Sequence, residues 1–122
     1  MKRYLMLPVI LFASFPMSVG RGQDNCTPIH FAPGQSSTSV KGVAPFGTPF
    51  TCFNLIAGRG QTASIRLTKS NGNTAFNISG IVDNQDNYTF RTEARTYKID
   101  VYQITRELAS RDAQFTMQVT LR

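Results

Sequence analysis

The chain holds one histidine, two cysteines and seven carboxylates, so the chemistry open to it is narrow. Nucleophilic catalysis of the Ser-His-Asp or Cys-His kind needs an imidazole base beside the nucleophile. His30 is the sole candidate, and it lies between Ile29 and Phe31 in a run that alternates like a strand, where a structural role is expected. Zinc needs a set of closely spaced His, Cys or carboxylate ligands, and the chain has no Cys-x-x-Cys and no second His. Asp24, Asp83, Asp86, Glu93, Asp100, Glu107 and Asp112 are scattered through polar loops and solvent-facing positions. A glycosidase-type carboxylate pair is the one acid–base arrangement the sequence leaves open. Asp83-Asn84-Gln85-Asp86-Asn87 offers oxygen ligands but lacks the glycine and closing glutamate of an EF-hand loop. Gly58-Arg59-Gly60 runs from one strand into the next, whereas a phosphate loop opens a helix. The expectation is a protein that is not an enzyme and uses no cofactor or metal.

Binding chemistry remains. The segment Arg106–Asp112 sets Arg106, Glu107, Arg111 and Asp112 between two very apolar strands. Guanidinium groups there could pair with a partner's carboxylates in a bidentate way, with Ser110 adding a hydroxyl. The competing reading is a solvated hairpin turn, in which Glu107-Leu108-Ala109 could add a helical turn. Tyr102 and Tyr88 are candidate platforms for stacking on sugar. Three Asn-x-Ser/Thr triplets begin at Asn25, Asn77 and Asn87 and would matter only where such sites are glycosylated.

The N-terminus reads as a signal peptide over residues 1–22. Lys2 and Arg3 precede an apolar run from Tyr4 to Phe15, and the small residues Ser18 and Gly20 suit a cut after Gly20, with Gly22 as the other choice. The run is too short, and too interrupted by Pro8 and Pro16, to span a bilayer, so no membrane anchor is expected after cleavage. Of the 13 Lys and Arg, Lys2, Arg3 and Arg21 belong to this leader. A chain beginning at residue 23 keeps ten against seven carboxylates, and the formal charge of +6 falls to +3. With no aromatic-basic stripe either, nucleic acid is not an expected partner. Export to an oxidising compartment makes a single disulfide, Cys26–Cys52, the simplest use of the two cysteines. It would close a loop of about 27 residues, worth roughly 3–4 kcal/mol in the chain-entropy account.

These groups must be positioned by strands. With 122 residues, 41% of them hydrophobic and only 16% charged, the chain suits one domain over 23–122 and rules out a Rossmann or barrel enzyme. Short alternating runs separated by turn signals cover Thr27–Ala32, Ser36–Val43, Phe50–Ala57, Ala63–Thr68, Thr74–Ser79, Tyr88–Arg91, Tyr97–Ile104 and Phe115–Leu121. Ala44–Pro49 and Asp83–Asn87 read as loops, and Asn71-Gly72 signals a type I′ hairpin turn. About eight strands spaced by roughly ten residues imply an all-β antiparallel sandwich, jelly-roll-like, with one face of each sheet buried.

Ile29-His30-Phe31-Ala32-Pro33-Gly34-Gln35-Ser36-Ser37, followed by Val40 and Gly42, resembles the opening of the periplasmic inhibitors of g-type lysozyme. Phe53-Asn54-Leu55-Ile56-Ala57-Gly58-Arg59-Gly60-Gln61 resembles that family's aromatic strand and Gly-Gln turn. Phe76 with Ile78, Tyr97-Lys98-Ile99-Asp100-Val101 and Phe115-Thr116-Met117-Gln118-Val119 match its later strands, the last two as a closing hairpin. The resemblance implies a β-sandwich shared with the pre-peptidase C-terminal domains of secreted proteases. It also implies a periplasmic or secreted protein whose partner is a g-type lysozyme or another peptidoglycan-cleaving enzyme, blocked by an inserted loop. The family's Ser-Asn-Arg motif is absent, and Ser110-Arg111-Asp112 stands in the last connection instead. Two other functions stay open: a glycan- or protein-binding accessory module of the pre-peptidase type, and a structural envelope protein. In the accessory-module case Tyr102 would lie on an open face.

Overall fold

A computed structural model describes residues 25–109, 111 and 113–122. The leader expected over 1–22, Asp24, and Ser110 and Asp112 of the charged segment lie outside the described residues. The described chain is all-β, with nine strands: β1 (Thr27–Pro28), β2 (Ser37–Ala44), β3 (Thr51–Ala57), β4 (Thr62–Lys69), β5 (Thr74–Ile78), β6 (Val82–Gln85), β7 (Asn87–Arg91), β8 (Arg95–Gln103) and β9 (Ala113–Leu121). They form a five-stranded sheet in the order β1-β3-β8-β5-β6 and a four-stranded sheet in the order β2-β9-β4-β7. Pairing is antiparallel except at the edge, where β1 runs parallel to β3.

Alternation decides which side chains meet between the sheets, because successive residues of a strand face opposite ways. From the five-stranded sheet come Phe53, Leu55, Phe76, Ile78, Tyr97, Ile99 and Val101. From the four-stranded sheet come Ala63, Ile65, Phe115, Met117 and Val119. Each large side chain here contributes about 1.5–3 kcal/mol by leaving water. Phe53 and Phe115 meet edge to face across the gap, with ring centroids 6.1 Å apart. Gly42 pairs with Phe115, and the ring lies so close that a Cβ on Gly42 would sit 2.9 Å from its Cζ. The expected disulfide is formed, and Cys26–Cys52 ties the start of the short edge strand β1 to β3.

Six expectations need correction. The strand expected over Thr27–Ala32 stops at Pro28, although the Ile29 N–H still donates to the Asn54 carbonyl at 2.9 Å. His30 is therefore an exposed residue past the strand end, not a strand residue with a structural role. Asp83–Asn87 is not a loop: Val82–Gln85 pairs with β5, and only the turn at Asp86 separates it from β7. Tyr88 packs inward against the core beside Phe90, so it is not a surface platform. Asn71-Gly72 does not close a hairpin, because β4 and β5 belong to different sheets. Of its two residues only Gly72 has positive φ, at 84°, whereas a type I′ turn needs both. Likewise β8 and β9 lie in different sheets, so the charged segment is a crossover and not a hairpin turn.

Candidate functional site

Three crossovers gather at one end of the sandwich, and the pairings dictate this. Ala44 pairs with Ala113 at the end of the four-stranded sheet, and Thr51 with Val101 and Thr74 with Gln103 at the end of the other. Segments 45–50, 70–73 and 104–112 must therefore all pass from sheet to sheet at this end.

Asn73, in the second of these segments, is the post that holds the third. It is 3% exposed. Its Oδ1 accepts the Thr105 N–H at 3.0 Å and the Thr105 hydroxyl at 3.2 Å, and its Nδ2 donates to the Thr105 carbonyl at 3.0 Å. Its own carbonyl accepts the Ile104 N–H at 2.7 Å. The neighbouring Asn71 Oδ1 accepts from the Asn73 N–H and the Thr74 hydroxyl, an Asx turn that places Asn73. Gln103, also buried, donates its backbone N–H to the Pro45 carbonyl and its Nε2 to the Ala44 carbonyl, both at 3.1 Å. Segment 45–50 is thereby fixed to the base of segment 104–112.

Beyond that base the end is apolar and basic. Phe46, Phe50, Ile104 and Leu108 are exposed, Leu108 to 66% of its surface. Large apolar side chains held together in the open mark interaction surfaces. The Arg106 guanidinium lies 4.5 Å from the centre of the Phe46 ring, a cation–π contact that links the two segments. A tight turn follows, with the Ala109 N–H donating to the Arg106 carbonyl at 3.1 Å, in place of a helical turn. Glu107 and Arg111 are exposed, and among the described residues neither has an ion-pair partner.

Tyr102 lies at the border of this end, on the outer face of the five-stranded sheet. Its ring packs on Phe50 with centroids 5.1 Å apart, and its hydroxyl donates to Asn77 Oδ1 at 2.8 Å. Burial, reinforced by the nearby Asp83 carboxylate, pushes its phenol above the ordinary value. Tyr102 is thus a half-buried support for Phe50 and not an open stacking platform.

Of the residues singled out in the sequence, Arg106 and Arg111 share this end and Tyr102 borders it. Ser110 and Asp112 lie outside the described residues. His30 is not part of this end. Phe46, Phe50 and the Asn73 post were missed. Phe46 carried a signal, a large apolar residue in a Pro- and Gly-flanked loop, whereas Asn73 was indistinguishable from an ordinary turn residue. No group of His, Cys, Asp and Glu able to hold a metal ion exists among the described residues.

Three solved structures share this fold. A periplasmic inhibitor of g-type lysozyme from Aeromonas hydrophila, PliG, is 24% identical, with a TM-score of 0.60 over 80% of this chain and 96% of that one. A mutant of the Escherichia coli PliG is 15% identical, with a TM-score of 0.59 over 79% and 96%. The Salmonella Typhimurium PliG is 20% identical, with a TM-score of 0.58 over 81% and 99%. No family model and no curated protein sequence matches. At these identities the likeness establishes the fold.

Proposed function

We propose that this chain is an exported, non-enzymatic inhibitor of g-type lysozyme, acting in a periplasm or outside the cell. The observation that carries the reading is the fold match over nearly the full length of three proteins described as periplasmic inhibitors of that enzyme. The exposed part of this end, made by segments 45–50 and 104–112 and here called the two-segment end, is what would enter the enzyme's cleft. Glycoside hydrolysis places carboxylates in such a cleft. Arg106, steadied over Phe46, and Arg111 would pair with them, and Ser110 would supply a hydrogen bond beside Asp112. Phe46 and Leu108, exposed beside the arginines, would exclude water from these pairs, with Tyr102 backing Phe50. Obstruction of this kind requires no catalytic group. The net positive charge of the chain would speed encounter with an acidic cleft, most strongly at low salt.

The test is inhibition of a purified g-type lysozyme acting on peptidoglycan, with c-type and i-type enzymes alongside. Selective inhibition of the g-type enzyme is expected. Arg106→Ala and Arg111→Ala should each weaken it about tenfold or more, as loss of a desolvated charge contact does. Absence of inhibition would refute the function. Full inhibition by both variants would refute the assignment to this end of the sandwich.

A further inference from the structure

We propose that the outer face of the four-stranded sheet binds an anionic polysaccharide. The proposal is independent of the inhibitor reading, since it concerns a different surface and needs none of the end segments.

The register lays this face out in rows about 7 Å apart, with neighbouring strands about 4.8 Å apart. One row runs Arg91–Thr62, with Arg122 bonded to Thr62 from the other side. The next runs Thr89–Ser64–Thr120–Ser37, and the third Asn87–Arg66–Gln118–Ser39. The last sets Lys69 and Lys41 on either side of Thr116. The bulge between Leu67 and Lys69 brings Lys69 into that row. Five cations thus share one face: Lys41, Arg66, Lys69, Arg91 and Arg122, all exposed. The carboxylates among the described residues lie elsewhere. Asp83 is on β6, Asp86 in the turn before β7, Glu93 in the connection before β8, Asp100 on the other sheet and Glu107 at the two-segment end. Half of the ten cations of residues 23–122 lie on this face, and none of the described carboxylates does.

The groups between the cations identify the class of polyanion. They are hydroxyls and amides, already ordered by one another. Arg66 Nη2 donates to Gln118 Oε1 at 2.8 Å, Gln118 Nε2 to Ser37 Oγ at 3.3 Å, and the Thr89 hydroxyl to Ser64 Oγ at 3.1 Å. The Arg66 bond holds the guanidinium down on the sheet and leaves further N–H groups for a ligand. A shallow depression of about 740 Å³ lies over this centre, floored by Ser64, Arg66, Gln118 and Thr120. Sugar hydroxyls both donate and accept, and such a surface answers them while the cations take carboxylate or phosphate groups. No aromatic side chain points outward from these strands among the described residues, so nucleic-acid bases find nothing to stack on. Among the described residues Val43, at the end of β2, is the one large apolar side chain exposed on this face, too little for a protein partner's apolar centre or for insertion into a lipid surface.

The experiment is affinity electrophoresis of the intact protein through gels containing polygalacturonate, with dextran as the neutral glycan, at low and at physiological salt. Retardation by polygalacturonate alone, weakening as salt rises, is expected. Arg66→Gln should reduce the affinity about fivefold and Lys41→Gln with Lys69→Gln at least as much, as removal of exposed charge contacts does. Lys98→Gln, an equal loss of charge on the other sheet, should leave it unchanged. Circular dichroism of each variant verifies the fold. The proposal is overturned by no retardation at low salt, by equal retardation in dextran, or by Lys98→Gln acting as strongly as Arg66→Gln. It is also overturned if a single-stranded DNA oligonucleotide displaces polygalacturonate at lower concentration than the free glycan does.

Discussion

Replacing Asn73 with alanine tests whether one buried amide organises the two-segment end. The side chain makes three bonds of 3.2 Å or shorter, all to Thr105. Thr105 is exposed, so its N–H, carbonyl and hydroxyl can turn to water once Asn73 is truncated. Each lost bond to Thr105 therefore costs its net value, about 1 kcal/mol, rather than a buried orphan's penalty, and the contact from Nδ2 to the buried Gln103 Oε1, at 3.5 Å, is long enough to add little. The hydroxyl bond is the longest and the most easily replaced by solvent, leaving about 2 kcal/mol for the other two. Truncating a 3%-exposed side chain adds a small cavity, and the total comes to about 2–3 kcal/mol. In a domain of this size that lowers Tm by about 10–20 °C. Urea unfolding followed by circular dichroism measures the loss. Hydrogen exchange at the Thr105 amide reads the local effect, which should be a large gain in exchange rate. Thr105→Val removes the hydroxyl bond alone and should cost about 0.5 kcal/mol. Added to Asn73→Ala it should cost almost nothing more, because the two changes delete the same contact. Stability within about 0.5 kcal/mol of the parent, with the Thr105 amide still protected, would show that the crossovers hold themselves and that Asn73 is not their post.

Gly42→Ala should destabilise by about 1–3 kcal/mol, because its Cβ would press on the buried Phe115 ring; thermal unfolding measures this, and a neutral result would mean the ring has room to slide. Replacing Cys26 and Cys52 together by serine should cost roughly 3–4 kcal/mol by freeing the unfolded chain, a drop of about 15 °C or more in Tm. The Tyr102 phenol is held above its ordinary value, so the fold favours its neutral form. Its stabilising contribution is complete below the unfolded value near 10 and is lost as pH rises through the higher folded value. Tyr102→Phe should therefore flatten the alkaline fall in stability seen by urea titration, besides losing about 1 kcal/mol at neutral pH with the bond to Asn77. An unchanged alkaline slope would refute the coupling.

The core was legible in the sequence. Phe53 and Leu55, Tyr97, Ile99 and Val101, and Phe115, Met117 and Val119 alternate with polar residues, and all of them are buried. Period-two alternation states which side of a strand leaves water, and burial of that side follows wherever the strand ends up. The disulfide was legible from composition, because two cysteines in a chain expected to be exported have only each other to pair with. Which strands pair was not. Every connection except β5–β6 passes from one sheet to the other, so neighbours in sequence are seldom neighbours in a sheet. Asn71-Gly72 looked like a hairpin because turn chemistry describes two residues, whereas the sheet joined by each flanking strand depends on partners far along the chain. The strand β6 was hidden because Val82-Asp83-Asn84-Gln85 is polar, and β5 beside it, not its own residues, makes it a strand. The arginines of the end segment could be picked out as chemistry. Their company, Phe46 under Arg106 and Asn73 beneath Thr105, comes from segments 60 and 32 residues away and exists only in the folded state. Charge on the four-stranded sheet follows the same rule. Lys41, Arg66, Arg91 and Arg122 are isolated in sequence, and antiparallel register alone assembles them on one face. Local alternation specifies inside and outside, while long-range pairing decides who stands beside whom.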